Sequence, residues 1–156
     1  MIEKIISGGQ TGVDRAALDV AMAMGLQCGG WCPAGRAADD GPIPERYPLQ
    51  EVRNIDHTVR TGANVRDSDA TLMLNRGLLQ GGTAYAVETA KHMDRPVMVV
   101  DLEAPPAMDM IVAWLQQHKV RVLHIGGPRE VSRPGIYEQA RAFVEALLTR
   151  CGACEE

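Results

Sequence analysis

The stretch Ser7-Gly8-Gly9-Gln10-Thr11-Gly12-Val13-Asp14-Arg15 joins an apolar run, Ile2 to Ile6, to an amphipathic segment that opens at Val13. A strand that ends in glycines and opens a helix is suited to binding an anion. Gly8, Gly9 and Gly12 lack a Cβ, so their backbone N–H groups can approach a ligand closely. The first helical amides and the positive end of the helix dipole then attract phosphate or an oxyanion. Two familiar phosphate patterns fit poorly. A nucleotide-hydrolysing P-loop needs Lys followed by Ser or Thr after its last glycine, whereas Gly12 precedes Val13 and Asp14. The dinucleotide fingerprint would place its first glycine at Ser7, and no acidic residue closes a second strand about 20 residues on.

Two further turns repeat the design. Arg76 to Gly82 is a glycine-bearing turn after an apolar run, and Thr83 is a natural N-cap for the helix that follows it to about Met93. Gly126-Gly127-Pro128-Arg129-Glu130 forms the third. Each of the three turns follows a predicted strand.

The elements that must position these turns alternate along the chain. Strands are predicted at Ile2–Ser7, Leu26–Trp31, Ala70–Leu74, Pro96–Asp101 and Val120–Ile125, with Pro96–Asp101 apolar enough to be central. Helices are predicted at Val13–Met24, His57–Asp67, Thr83–Met93, Ala107–His118 and Ile136–Arg150. Cys32 to Pro48 holds too many prolines and glycines for regular structure and reads as a long ordered loop or lid carrying Arg36, Asp39, Asp40, Glu45 and Arg46. Alternating strands and helices give an α/β fold, an open parallel sheet of about five strands with helices on both faces. In such a sheet all three turns gather at the carboxyl edge, where ligands bind.

Composition sets the bounds. A chain of 156 residues is one domain, with residues 151–156 a loose tail. With 46% hydrophobic but only 4% aromatic residues the core must be aliphatic. A net charge of −4 argues against indiscriminate binding to nucleic acid or membrane. No leader pattern or membrane-length apolar run is present, so the expected location is the cytoplasm. Thirteen of the sixteen basic residues are arginines, whose planar forks suit carboxylate and phosphate, although a GC-rich genome produces the same bias. Cys28, Cys32, Cys151 and Cys154 form two close pairs of unequal spacing and are expected to be free thiols. The four histidines show no metal-ligand spacing.

Several motifs together resemble the molybdenum cofactor carrier family. They are Gly8 to Asp19, Gly30-Trp31-Cys32-Pro33 with Gly35-Arg36, Asp40-Gly41 to Tyr47-Pro48-Leu49, Arg60-Thr61, Asn64-Val65, Asp67 to Thr71, Gly81-Gly82-Thr83, and Gly127-Pro128-Arg129-Glu130 leading to Pro134-Gly135-Ile136-Tyr137. The resemblance covers most of the chain. It implies a Rossmann-like fold within the lysine-decarboxylase-like and DNA-processing-related group, a homo-oligomer (dimer or tetramer), and binding of molybdenum cofactor (molybdopterin) without transforming it, with molybdoenzymes as partners. The cofactor residues it implies are Gly8, Gly9, Gln10, Thr11, Gly12, Asp14, Arg15, Arg36, Arg60, Asn64, Asp67, Ser68, Asp69, Gly81, Gly82, Thr83, Gly127, Arg129 and Glu130, with no protein ligand to a metal. Amides of Gly9 to Gly12 or Gly82 to Thr83 could hold the cofactor's phosphate. Asp67 or Asp69 could accept from the pterin, and Arg36, Arg60 or Arg129 could pair with phosphate or oxo groups.

Each of these residues also has a structural reading. Asp14, in the first helical turn, opposes an anion, so capping or an ion pair with Arg15 competes with bonding to ribose, pterin or metal. Asp67, Ser68 and Asp69 can cap or turn the backbone, and Trp31 can pack or stack on a heterocycle. A nucleotide is the alternative ligand, bound by a sensor or by an enzyme. Phosphoribohydrolases of the wider superfamily carry Pro-Gly-Gly-x-Gly-Thr-x-x-Glu. Gly81, Gly82 and Glu88 match it, but Gln80, Ala84 and Tyr85 do not, so Glu88 is catalytic only if the chain is such a hydrolase.

Overall fold

The computed structural model describes residues 1–152. Cys154 and the rest of the expected tail beyond Gly152 lie outside the described residues. In chain order the elements are β1 (Lys4–Ile6), α1 (Val13–Ala23), β2 (Gln27–Gly29), β3 (Trp31–Cys32), a 3-10 turn (Ala34–Arg36), β4 (Gln50–Glu51) and α2 (His57–Arg66). There follow β5 (Ala70–Asn75), α3 (Gly81–His92), β6 (Val97–Asp101), α4 (Met108–Gln117), β7 (Val122–Gly126) and α5 (Ile136–Arg150). Among the described residues no helix is long and apolar enough to cross a membrane.

The main sheet is parallel throughout, as expected, with the order β2-β1-β7-β5-β6. Counted from β7 instead of from β1, this is the 3-2-1-4-5 order of a nucleotide-binding Rossmann sheet. The strand that begins the binding half in space therefore comes last in the chain. The reversal of strand order falls between β7 and β5, which pair in register from Ala70↔Leu123 to Met73↔Gly126.

Alternation along the strands divides the side chains between two unequal faces. Ile5, Leu72, Leu74, Val100, Leu123 and Ile125 face a large aliphatic core built with Val13, Ala17 and Val20 of α1, Ile111 and Leu115 of α4, and Ile136, Ala140 and Val144 of α5. On the other face only Met73, Ala86 and Val87 form a buried cluster, with Val97 against it. Thr71, Asn75, His124 and Gly126 share that face with Met73, so α2 and α3 close over it incompletely.

Three expectations need correction. The Pro96–Asp101 run is not central: β6 is the sheet edge, and Val99 stays 41% exposed. The predicted strand Leu26–Trp31 is broken at Gly30 (φ 133), where a Cβ would stand 2.2 Å from the Ser7 carbonyl oxygen. Beyond that break β3 pairs with the unforeseen β4 in a separate two-stranded sheet. Thr83 is not an N-cap, because α3 begins at Gly81 with Gln80 in the cap position and no side-chain cap.

The loop expected over Cys32 to Pro48 begins one residue later, because Cys32 lies in β3, and carries only the short 3-10 turn before β4. Its apolar residues Ile43 and Tyr47 pack with Leu18 and Cys32. Arg36, at φ 55, donates to the carbonyls of Ile43, Pro44, Tyr47 and Leu49 and so holds the loop from inside. Tyr47 donates to Asp19 at 2.5 Å, which fastens the loop to α1.

Candidate functional site

A cleft of about 890 Å³ opens at the carboxyl edge of the sheet on the α2/α3 side, a volume typical of small-molecule sites. Its floor is Met73 and Asn75 of β5 with His124 and Gly126 of β7. Its walls are His57, Thr58, Arg60 and Thr61 of α2, Gln80 to Thr83 with Tyr85 and Ala86 around the start of α3, and Gly127 to Arg129 after β7. Ala37 to Asp39 of the long loop reach the mouth, as do Ser132 and Arg133. The ends of β5 and β7 meet here, at the reversal of strand order.

The second glycine turn is the most open to a ligand. The Ala84 amide bonds to the Gln80 carbonyl, while the amides of Gly81, Gly82 and Thr83 precede any helix carbonyl that could accept from them. A Cβ built on Gly81 or Gly82 would meet nothing within 4 Å. The N-terminus of a 12-residue helix thus faces the cleft bare.

The first glycine turn is occupied by the protein itself. The Gln10 amide donates to Asp14 Oδ2, the Thr11 amide to Gln10 Oε1, and the Val13 amide to the Pro128 carbonyl. Gly12 sits at φ +81, and a Cβ there would lie 2.4 Å from the Pro128 oxygen and 2.8 Å from the Glu130 nitrogen. Gly9, also at φ +81, gives way to Leu49 and Ile43, and Gly8 makes room for the Arg60 guanidinium. This turn joins the first strand to the third turn and the loop. Of its residues, Gln10 and Asp14 line the cleft.

Asp14 pairs with Arg60 Nη1 at 3.2 Å rather than with Arg15, and both side chains are largely buried. Burial raises the Asp14 carboxyl above its ordinary value against the opposing pull of Arg60 and of the Gln10 and Gly127 amides. His124 is buried, with Nδ1 3.1 Å from Thr71 Oγ1, and burial pushes its pKa down to about 3, so the ring is neutral. At the mouth, Arg129 Nη1 donates to both carboxylate oxygens of Asp39. Asn75 donates from Nδ2 to the Gly77 carbonyl at 3.1 Å, while its Oδ1 is buried and has no partner.

Gln10, Asp14, Arg60, Gly81, Gly82, Thr83, Gly127 and Arg129 are therefore brought together. The other implied residues stand elsewhere. Arg15 donates to the Gly9 carbonyl and, with both terminal nitrogens, to Asp40. Asn64 clamps the backbone of Trp31 through its N–H and its carbonyl. Asp67 accepts from the Trp31 indole and from Arg66, and Ser68 donates to the Val65 carbonyl. Asp69 accepts from the Arg121 and Val122 amides, at the amino edge of the sheet and opposite the cleft. Glu130 accepts from the Gly135 and Tyr137 amides and caps α5. Glu88 is exposed beside Lys91 and lines no part of the cleft.

Asn75 and His124 escape sequence reasoning, since their shared face follows only from the β5–β7 pairing. The one available signal was two polar residues, Thr71 and Asn75, spaced evenly in an otherwise apolar strand. Cys28, Cys32 and Cys151 are free, and burial raises all three thiols. Among the described residues no group of three or more His, Cys, Asp or Glu side chains is placed to hold a metal ion.

Comparison with known proteins agrees with this architecture. The model of the "Circularly permutated YpsA SLOG family" matches residues 5–148. A crystal structure of a protein from Syntrophus aciditrophicus SB, named "Putative molybdenum carrier protein", superposes with a TM-score of 0.89 at 42% sequence identity, over 94% of this chain and 95% of that one. No curated protein matches.

Proposed function

The chain belongs to the circularly permutated YpsA SLOG family, and we propose that it is a binding protein for a phosphorylated heterocycle, carrying or storing molybdenum cofactor without transforming it. The observation that carries this reading is the uncapped, side-chain-free start of α3 facing a cleft at the reversal of strand order. The cleft offers what each part of such a ligand requires. The amides of Gly81, Gly82 and Thr83 receive the phosphate, and Arg129 supplies a planar cation beside them once it releases Asp39. Gln10, Asn75 and the neutral His124 present polar atoms to a ring, with Met73 as an apolar floor. Asp14 and Arg60 neutralise one another, so they shape the wall without repelling an anion. In this reading Arg15, Arg36 and Glu130 hold the loops that border the cleft, while Asn64, Asp67, Ser68 and Asp69 fix backbone away from it.

A carrier of this kind works in the cytoplasm and hands its cargo to molybdoenzymes. The molybdenum carrier name of the 42%-identical structure supports the choice of cargo. The permuted Rossmann order favours a second reading, a nucleotide sensor, for which the same amides would hold a nucleoside phosphate. An anaerobic titration with intact molybdenum cofactor, repeated in excess AMP, separates the two. Saturable binding that AMP does not displace supports the carrier. Absence of cofactor binding, with AMP bound instead, overturns it in favour of the sensor.

A further inference from the structure

Two buried side-chain polar atoms lack a hydrogen-bond partner among the described residues, Asn75 Oδ1 and Arg60 Nε, and both belong to residues that line the cleft. Buried polar groups are overwhelmingly paired in folded proteins, so each exception calls for an explanation. One of these atoms is an acceptor and the other a donor. The Asn75 amide cannot be turned round to remove the exception. Its Nδ2 donates to the Gly77 carbonyl, and a flipped amide would set two acceptors against each other. The backbone around it is equally fixed: the Asn75 carbonyl accepts from the Leu102 amide at 2.8 Å, and the residue as a whole is 5% exposed. Asn75 is thus a rigid acceptor at the carboxyl end of β5, on the same face as Met73, where the floor of the cleft meets the reversal of strand order.

We propose that Asn75 selects the ligand's heterocycle, its Oδ1 accepting from an amino or ring N–H donor on the ring edge while Arg60 Nε donates to a ring carbonyl or nitrogen. This rests on the reading of the cleft as a site for a phosphorylated heterocycle and adds which ring edge it takes, the 2-amino-4-oxo edge of a pterin. An edge without the amino donor leaves Oδ1 unpaired in the complex as well as in the free protein. Selection of this type, by an unmet buried partner, is strong relative to selection by ring size.

The test compares 6-hydroxymethylpterin monophosphate with its lumazine counterpart, in which a carbonyl replaces the 2-amino group, by fluorescence titration of the intact protein. The pterin is expected to bind about tenfold or more tightly. In Asn75→Leu the two affinities are expected to fall within about twofold of each other, the pterin's having dropped. Because the first comparison uses the wild-type protein, it stands even if the variant folds poorly. Equal affinities in the wild type overturn the proposal and leave the phosphate cradle intact. A preference that survives in Asn75→Leu assigns the selection to another residue and overturns it too. If neither probe binds while intact cofactor does, the carrier reading stands and the selection by Asn75 falls.

Discussion

Replacing Arg60 by methionine removes the guanidinium 3.2 Å from Asp14 and leaves a carboxylate whose side chain is 5% exposed without its cation. Breaking a buried pair from one side costs about 3–5 kcal/mol, much of a domain's total of about 5–15. For a chain of this length that lowers the melting temperature by roughly 6–20 °C. The loss should also depend on pH. Burial already raises the Asp14 carboxyl in the wild type, and Arg60 opposes the rise, so the variant raises it further. A carboxyl raised in the folded state holds its proton more tightly there than in the unfolded chain. Its contribution to stability is complete below the unfolded value, near 4, and is lost as pH climbs through the folded value. The Arg60→Met penalty is therefore greatest at about pH 8 and shrinks as pH falls toward about 4.5, because a protonated Asp14 no longer needs a cation. Adding Asp14→Asn should abolish that pH dependence. Urea unfolding followed by far-UV circular dichroism across this range measures all three proteins. A loss below about 1 kcal/mol, or the same loss at both ends of the range, would refute the account of the pair.

Four further outcomes are expected. Gly12→Ala places a Cβ 2.4 Å from the Pro128 oxygen at a φ of +81, so thermal melts should show a loss of about 3 kcal/mol. Gly82→Asp puts a carboxylate at the bare start of α3, where a Cβ meets nothing within 4 Å. Stability should rise by about 0.3–1 kcal/mol while cofactor affinity falls at least about tenfold, and calorimetry beside a melt reads both. Arg129→Ala loses a contact with exposed Asp39 and should leave stability within about 0.5 kcal/mol, yet weaken cofactor binding about tenfold in the same titration. Glu88→Gln should change neither stability nor binding, because that side chain is exposed beside Lys91, and a changed cofactor titration would contradict this placement.

Much of the layering was legible because periodicity reports burial directly: Val13, Ala17, Val20 and Ala21 form one stripe, and α1 lies where that stripe predicts. Neighbours are another matter. The run Val97-Met98-Val99-Val100 reads as a strand buried on both faces, yet nothing local says that β6 has a partner on one side only. Thr83 follows the local rule for an N-cap, but the helix already begins at Gly81, so Thr83 stands inside its first turn. The arginines were harder still. Arg36 meets backbone carbonyls and Arg15 meets Asp40, while Arg129 stands at the cleft, and composition is identical for all three. The ion pair expected between Asp14 and the adjacent Arg15 does not form; Asp14 pairs with Arg60, 46 residues away. Sequence locates the charges; the tertiary pairing decides which of them meet protein and which meet solvent in the cleft.

The strand order has a consequence for how the molecule comes into being. β7 pairs with β1 on one side and β5 on the other, and it is the last strand among the described residues. Without β7 the β2–β1 and β5–β6 pairs share no strand-to-strand hydrogen bonds. The cleft needs Gln10 and Asp14 from the chain's beginning and Gly126 to Arg129 from near its end. The complete lining of the cleft therefore exists only once the sheet has closed around β7, although the start of α3 is present before that.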